Sequence, residues 1–127
     1  MSAATNALNW FEIAVTDLVR ATKFYEMIFD IKMIPADMPR MKMALFPTDY
    51  MSGKVGGALV QSEVLHPSAK GTLVHLNANP DLKLVQDQLE KAGGKVTLPK
   101  TLITDKIGYK AFFIDTEGNA LALHSSK

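Results

Sequence analysis

One helical stripe of apolar residues occurs twice in this chain of 127 residues, and the repeat constrains the fold more than any other feature. The members of the two stripes are Leu18, Ala21, Tyr25 and Ile28, and then Leu82, Val85, Leu89 and Ala92. Steps of three, four and three residues place each set on one side of a helix. Leu82 follows Leu18 by 64 positions, and the other three pairs keep that spacing. The chain is therefore predicted to contain two copies of one unit.

A strand with one buried side is predicted before each helix. Its apolar positions alternate in both copies, as Phe11, Ile13 and Val15, and again as Val74, Leu76 and Ala78. Alternation with a period of two is typical of a half-buried strand. Each copy thus begins with a strand that leads directly into a helix.

Capping residues mark where these helices are expected to begin and end. Thr16 or Asp17 can cap the first helix by accepting its free backbone N–H groups. Asn79 is predicted to cap the second, with Pro80 at the first helical position, where a missing N–H is tolerated. The pair Gly93 and Gly94 is predicted to end the second helix.

Three further strand candidates follow each helix. They cover about 30–36, 40–47 and 55–62 in the first half, and about 95–99, 107–115 and 119–125 in the second. Residues 63–70 contain a His-Pro-Ser sequence and are predicted to be a linker. The predicted fold is α+β, with two tandem βαβββ units in one domain over 1–127. Unit 1 covers about 7–62, and unit 2 covers about 71–126.

Composition narrows the partners that we expect. The 14 basic and 13 acidic residues are interleaved, so no basic stripe is available for a nucleic acid. No apolar run approaches the ~20 residues of a membrane span. The N-terminus lacks the basic and apolar regions of a signal peptide. Without cysteine, a disulfide framework is excluded, and a cytoplasmic location is the default expectation.

Three segments resemble the vicinal oxygen chelate superfamily, which includes glyoxalases, bleomycin resistance proteins and extradiol dioxygenases. They are VTDL at 15–18 with Phe24 and Tyr25, AGGKV at 92–96, and FIDTEGN at 113–119, where Thr116 replaces the usual proline. The resemblance implies a cupped mixed sheet with the helices outside. It also implies a homodimer, and a divalent metal held in the cup by His or Glu at four positions.

This chain departs from the family at the metal-binding positions. Aligned on the family motifs, three of them fall at Trp10, Leu73 and Ala122, and the fourth falls near Val60 or Gln61. None of these residues offers the carboxylate or imidazole that a divalent cation requires. We therefore expect no cofactor at the usual site, so that a metal could bind only at a displaced one.

A displaced site would use Glu12, His75 and His124. Each lies two residues after an aligned metal position, so its side chain should share the inner side of the sheet. Three interpretations remain open for this trio: a displaced metal site, a metal-free acid–base pair, or separate polar residues that line a solvated cleft.

The sequence favours a protein that binds a small organic molecule in the cup, as a homodimer. The predicted binding residues are Trp10, Glu12, Gln61, Leu73, His75, Asn77, Tyr109, Ala122 and His124. Two alternatives remain. One is a lyase- or isomerase-like enzyme that uses Glu12 with His75 or His124, and the other is a resistance protein that sequesters a drug without changing it. Whether the protein is an enzyme stays undecided from these residues, since fold does not fix function.

Overall fold

The computed structural model describes all of residues 1–127, and it contains the predicted βαβββ order twice. The elements of the first unit are β1 Trp10–Ala14, α1 Leu18–Phe29, β2 Ile34–Met38, β3 Met41–Leu45 and β4 Gly56–Ser62. Those of the second are β5 His75–Asn77, α2 Leu82–Leu89, β6 Lys95–Thr104, β7 Gly108–Ile114 and β8 Ala120–Ser125. A short 3₁₀ helix, Tyr50–Ser52, interrupts the connection between β3 and β4 and was not predicted.

The first helix begins where the sequence indicates, and the second does not. Asp17 caps α1 and accepts a hydrogen bond from the backbone N–H of Arg20. Asp81, rather than Asn79, caps α2 by accepting from the N–H of Lys83. The prediction of Asn79 was wrong because its side-chain oxygen accepts from the backbone N–H of Ser126.

The second helix also ends earlier than its stripe suggests. It stops at Leu89, so Ala92 lies in the following turn, where it still packs against the core. Gly93 follows with a φ of 103°, a backbone angle that favours glycine. The predicted glycine pair, Gly93 and Gly94, thus lies one turn beyond the end of the helix.

Each unit forms its own four-stranded mixed sheet. The strand orders are β1-β4-β3-β2 and β5-β8-β7-β6. The first strand of each unit runs parallel to the last, and the other pairs are antiparallel. No strand pair joins the two sheets, so β1 and β5 each keep one free edge. The expected cupped sheet therefore exists in one chain as two separate halves.

One hydrophobic core lies on the helix side of both sheets. It contains Ile13 and Leu59 from the first sheet, and Leu76 and Phe113 from the second. The helices α1 and α2 pack against each other, and each covers its own sheet. Phe24 of α1 reaches across to Phe113, with ring centroids 6.2 Å apart. The units are thus joined through side-chain packing and not through strand pairing.

The other side of each sheet points away from that core. We call these sides face 1 and face 2. Face 1 comprises Trp10, Glu12, Ala14, Met43, Leu45, Ala58 and Val60. Face 2 comprises His75, Asn77, Lys110, Phe112, Ala122 and His124.

Neither helix is long and apolar enough to cross a membrane.

Candidate functional site

Strand pairing arranges face 2 in two rows. In the first row Lys110 lies opposite His124, which lies opposite Asn77. In the second row Phe112 lies opposite Ala122, which lies opposite His75. Side chains directly opposite each other on neighbouring strands are close enough to act together. Face 2 therefore places a polar row beside a row that carries an aromatic ring.

The same pairing identifies the corresponding positions on face 1. There Met43 lies opposite Val60, which lies opposite Ala14. The next row contains Leu45, Ala58 and Glu12 in the same order. The positions of face 1 that correspond to the polar row of face 2 are thus apolar. Glu12 is the one carboxylate of face 1.

This correspondence corrects the fourth metal position. Ala122 pairs with His75, and the counterpart of His75 in the first unit is Glu12, which pairs with Ala58. The fourth metal position is therefore Ala58, and not Val60 or Gln61 as the sequence suggested. Ala58 and Ala122 are both fully buried.

The residues present do not fit the metal that the fold family commonly holds. The four corresponding positions are Trp10, Ala58, Leu73 and Ala122, which offer no metal-binding atom. Nor does the displaced trio come together in one chain, since no three His, Asp or Glu side chains are grouped closely enough to hold an ion.

His75 is the most perturbed imidazole of the site. Burial lowers its pKa below the ordinary value of 6.5, and the nearby His124 and Lys110 lower the pKa further. Its ring meets Phe112 edge-on, with centroids 6.3 Å apart. The neutral form of the His75 imidazole is thus favoured in the free protein.

His124 has a defined tautomer. Its Nε2 lies 2.8 Å from the carbonyl oxygen of Ile107. A carbonyl can only accept, so Nε2 carries the hydrogen and donates it. The Nδ1 atom makes no hydrogen bond within the chain.

The predicted trio is divided between the two sheets. Glu12 is exposed on face 1, whereas His75 and His124 lie on face 2. No carboxylate hydrogen-bonds to either imidazole within the chain. Asn77, also on face 2, accepts at Oδ1 from the backbone and side-chain nitrogens of Asn79.

Gln61 and Tyr109 lie on the opposite sides of their strands from the predicted location. Gln61 faces α1, and its Oε1 accepts from the backbone N–H of Leu18 at 2.9 Å. Tyr109 packs against the core, with the Nζ of Lys100 at 4.5 Å from its ring centroid. Both predictions of cup-lining residues are corrected for the same reason, since neighbours along a strand point to opposite sides.

The remaining predicted residues lie at the edges of the two faces. Trp10 packs on Tyr50 with ring centroids 5.8 Å apart, and it also contacts the apolar cluster of face 1. Leu73 precedes β5 and is 40% exposed. Residues that sequence reasoning missed are Lys110 and Phe112. Their alternation with Ala111 and Phe113 in β7 is the signal that places them on face 2.

Neither of the two main cavities contains side chains from both faces. One, of about 540 Å³, lies at the end of the first sheet, and Thr16, Met41 and His66 are among the residues that line it. The other, of about 1630 Å³, is an open cleft between the units that reaches His75 and Asn77 and continues to Phe46. In a single chain, neither of these two cavities is therefore shared by faces 1 and 2.

The sequence matches the family model described as "Glyoxalase/Bleomycin resistance protein/Dioxygenase superfamily" over residues 7–123. None of the curated proteins matches the sequence. Several solved structures share the fold. The glyoxylase/bleomycin resistance protein/dioxygenase domain from Frankia sp. EAN1pec is 18% identical with a TM-score of 0.71, and the match covers 98% of this chain and 100% of that one.

Two further solved structures with this fold are a named enzyme and a named resistance protein. Glyoxalase I from Zea mays is 21% identical with a TM-score of 0.69, and the match covers 93% of this chain. This chain spans less than half of that enzyme, 45% of its length. The fosfomycin resistance protein FosX from Listeria monocytogenes is 15% identical with a TM-score of 0.66, and the match covers 100% of this chain and 94% of that one. At these identities the likeness shows the fold alone.

Proposed function

The chain belongs to the Glyoxalase/Bleomycin resistance protein/Dioxygenase superfamily, and we propose that it binds a small organic molecule between face 1 and face 2 without a resident metal ion. The observation that carries this proposal is the contrast between the two faces at equivalent positions of the repeat. Met43 and Val60 on face 1 correspond to Lys110 and His124 on face 2. An apolar wall beside a few convergent polar groups is the usual character of a ligand site.

Face 1 supplies the apolar surface for such a ligand. Met43, Ala58 and Val60 form a small cluster separate from the main core, and Trp10 and Leu45 pack against it. Met43, Ala58 and Val60 are themselves buried, so the partly exposed side chains of Trp10 and Leu45 present the apolar surface to the ligand. Each square ångström of apolar surface covered by the ligand contributes about 25 cal/mol.

The shared site requires two copies of the chain. Within one copy the two faces do not line a common cavity, and the edges of β1 and β5 are unpaired. An unpaired strand edge is a surface on which another strand can align. The proposed assembly is a homodimer in which face 1 of one copy and face 2 of the other enclose the ligand.

The chemistry of the faces favours binding over turnover. A general acid–base mechanism needs a base that is positioned by a hydrogen bond and lies within reach of the reacting proton. His75 makes no hydrogen bond in the chain, and His124 is tied to a backbone carbonyl. Glu12 lies on the other sheet, and within one chain it hydrogen-bonds to neither of them. Enzymes and resistance proteins share this fold, so the fold itself does not decide the matter.

The single tryptophan provides a direct test. Protein purified without a His tag is analysed for bound metal and then titrated with small organic molecules while the fluorescence of Trp10 is recorded. The proposal predicts saturable fluorescence changes in protein that holds no stoichiometric metal. Leu45→Glu on face 1 should weaken binding, whereas Val19→Glu, an exposed change on α1, should not. The absence of any saturable change, or equal effects of both variants, would contradict it.

A further inference from the structure

We infer that the ligand is an amphipathic organic oxyanion, such as a carboxylate with an apolar body, and that the row Lys110, His124 and Asn77 binds its charged end. This inference rests on the proposed function and specifies its ligand class. The charged end would lie on face 2, and the apolar body would lie against face 1.

Lys110 is a cation without an anionic partner in the chain. The ion pairs of the chain join Arg20 to Glu117, Lys83 to Asp87 and Lys100 to Asp81, and none of them includes Lys110. The Nζ of Lys110 lies 5.3 Å from the ring centroid of Phe112. The lysine stem is half-buried on a structured strand, which fixes where the charge is presented. Within one chain, the charge of Lys110 is therefore free to bind an oxyanion that lies on face 2.

Two further polar side chains, Asn77 and His124, stand in line with Lys110. Asn77 uses its Oδ1 to accept from Asn79, which leaves its Nδ2 hydrogens for an external acceptor. His124 donates through Nε2 to Ile107, so protonation at Nδ1 would give it a second donor. These groups come from three adjacent strands, and face 2 contains no Asp or Glu. Hydrogen bonds from such groups to an ionised oxygen are stronger than those between neutral groups.

The duplicated unit itself does not account for this row. The corresponding positions of unit 1 hold Met43, Val60 and Ala14, which have no donors. Face 1 carries instead the carboxylate of Glu12, which would repel an anion. The two faces therefore orient an amphipathic anion in one direction only, with its charge on face 2.

Matched pairs of ligands test the inference. The probes are alkyl and aryl carboxylates of increasing length, such as 4-phenylbutyrate, each paired with its neutral amide of the same shape. Affinities are measured from Trp10 fluorescence in the wild type, in Lys110→Met, and in Lys91→Met. Lys110→Met installs the residue found at the equivalent position of face 1, and Lys91→Met removes an exposed charge outside both faces.

The inference predicts that carboxylates bind roughly tenfold or more tightly than their amides. Lys110→Met should abolish that preference and leave amide affinity unchanged, whereas Lys91→Met should keep it. Equal affinities within pairs, or a preference that survives Lys110→Met, would overturn the oxyanion inference while the proposed function stands. Failure of every acid and amide to bind would overturn the proposed function, and the inference with it.

Discussion

The hydroxyl of Tyr25 donates a hydrogen bond of 2.7 Å to Oδ2 of Asp115, and it joins the first helix to the turn before the last strand. Tyr25 is fully buried, and Asp115 is only 4% exposed. The carboxylate also accepts from the backbone N–H groups of Glu117 and Asn119 and from the Asn119 side chain. Burial, followed by the charge of Asp115, raises the pKa of Tyr25 well above its ordinary value. The phenol therefore stays protonated and keeps donating.

Tyr25→Phe should lower the free energy of unfolding by about 1–3 kcal/mol, because a buried carboxylate loses one of its donors. Urea unfolding at neutral pH measures the change. Tyr50→Phe is the control, since its hydroxyl bonds to a backbone oxygen on an exposed part of the chain, and it should cost less than about 0.5 kcal/mol. Equal costs for the two variants would show that the link between the units contributes nothing specific.

Glu117 makes a second link between the units, and this one depends on pH. Its side chain is fully buried against Arg20 at 2.8 Å and accepts from the backbone N–H groups of Thr16 and Asp17. Burial alone would raise the pKa of Glu117, but the hydrogen bonds from Arg20 and the backbone outweigh it and lower the pKa from 4.5 to about 2. The folded state therefore binds this proton more weakly than the unfolded state does.

The stabilisation from Glu117 should be complete above about pH 4.5 and should be lost as the pH falls to about 2. Its size is about 1–2 kcal/mol after allowance for solvent screening around Arg20. As the pH is lowered through this range, the free energy of unfolding should fall less steeply in Glu117→Gln than in the wild type. Asp87→Asn, which removes an exposed pair with Lys83, should keep the wild-type slope. An unchanged slope in Glu117→Gln would contradict this assignment.

Local patterns predicted the elements well, because periodicity and capping act over a few residues. The stripe of α1 and the FIDTEGN turn are where the sequence indicated, and the turn supplies both Asp115 and Glu117. The start of α2 was not predictable, since the competing partner of Asn79 is Ser126, 47 positions away. Tertiary contacts of this kind leave no local signal.

Strand register limited the prediction of the site. The connection between β3 and β4 contains a 3₁₀ helix that its counterpart in unit 2 lacks. Because the two connections differ, the spacing of the repeat did not identify Ala58 as the fourth metal position. Gln61 shows the consequence, because an error of one residue moves a side chain to the other side of the sheet. The separation of faces 1 and 2 within one chain depends on how the helices pack, which the pattern of either unit alone does not contain.

Affinity for a carboxylate ligand should rise as the pH is lowered from 8 towards 5.5. His75 has a lowered pKa in the free protein and starts out neutral, and an adjacent anion would raise that pKa, so binding takes up a proton. Fluorescence titrations at several pH values, compared with the matched amide, measure the effect. His75→Gln should reduce the pH dependence. Affinities for acid and amide that change in parallel would contradict a role for the imidazole.

Sites shared between two copies predict complementation between defective variants. Lys110→Glu replaces the cation of face 2 with an anion but keeps Trp10. Trp10→Glu places a charge on the apolar face 1 and removes the fluorophore. Neither should bind the carboxylate alone. After random exchange of equal amounts, half of the dimers are mixed and each has one intact site, so about a quarter of all sites should recover binding. Sedimentation should show twice the mass of one chain. No recovery in demonstrably mixed dimers would place the site within one chain.

If the two faces bind their ligand without a metal ion, removal of metal should leave the affinity unchanged, and titration of chelator-treated protein tests this most directly. The tightest-binding carboxylate of the panel is titrated by calorimetry into this protein, before and after addition of Zn²⁺, Ni²⁺, Mn²⁺ or Fe²⁺. We predict the same affinity in every case. Binding that appears only with one equivalent of metal, and disappears in Glu12→Ala or His75→Ala, would contradict the claim and establish the displaced metal site instead.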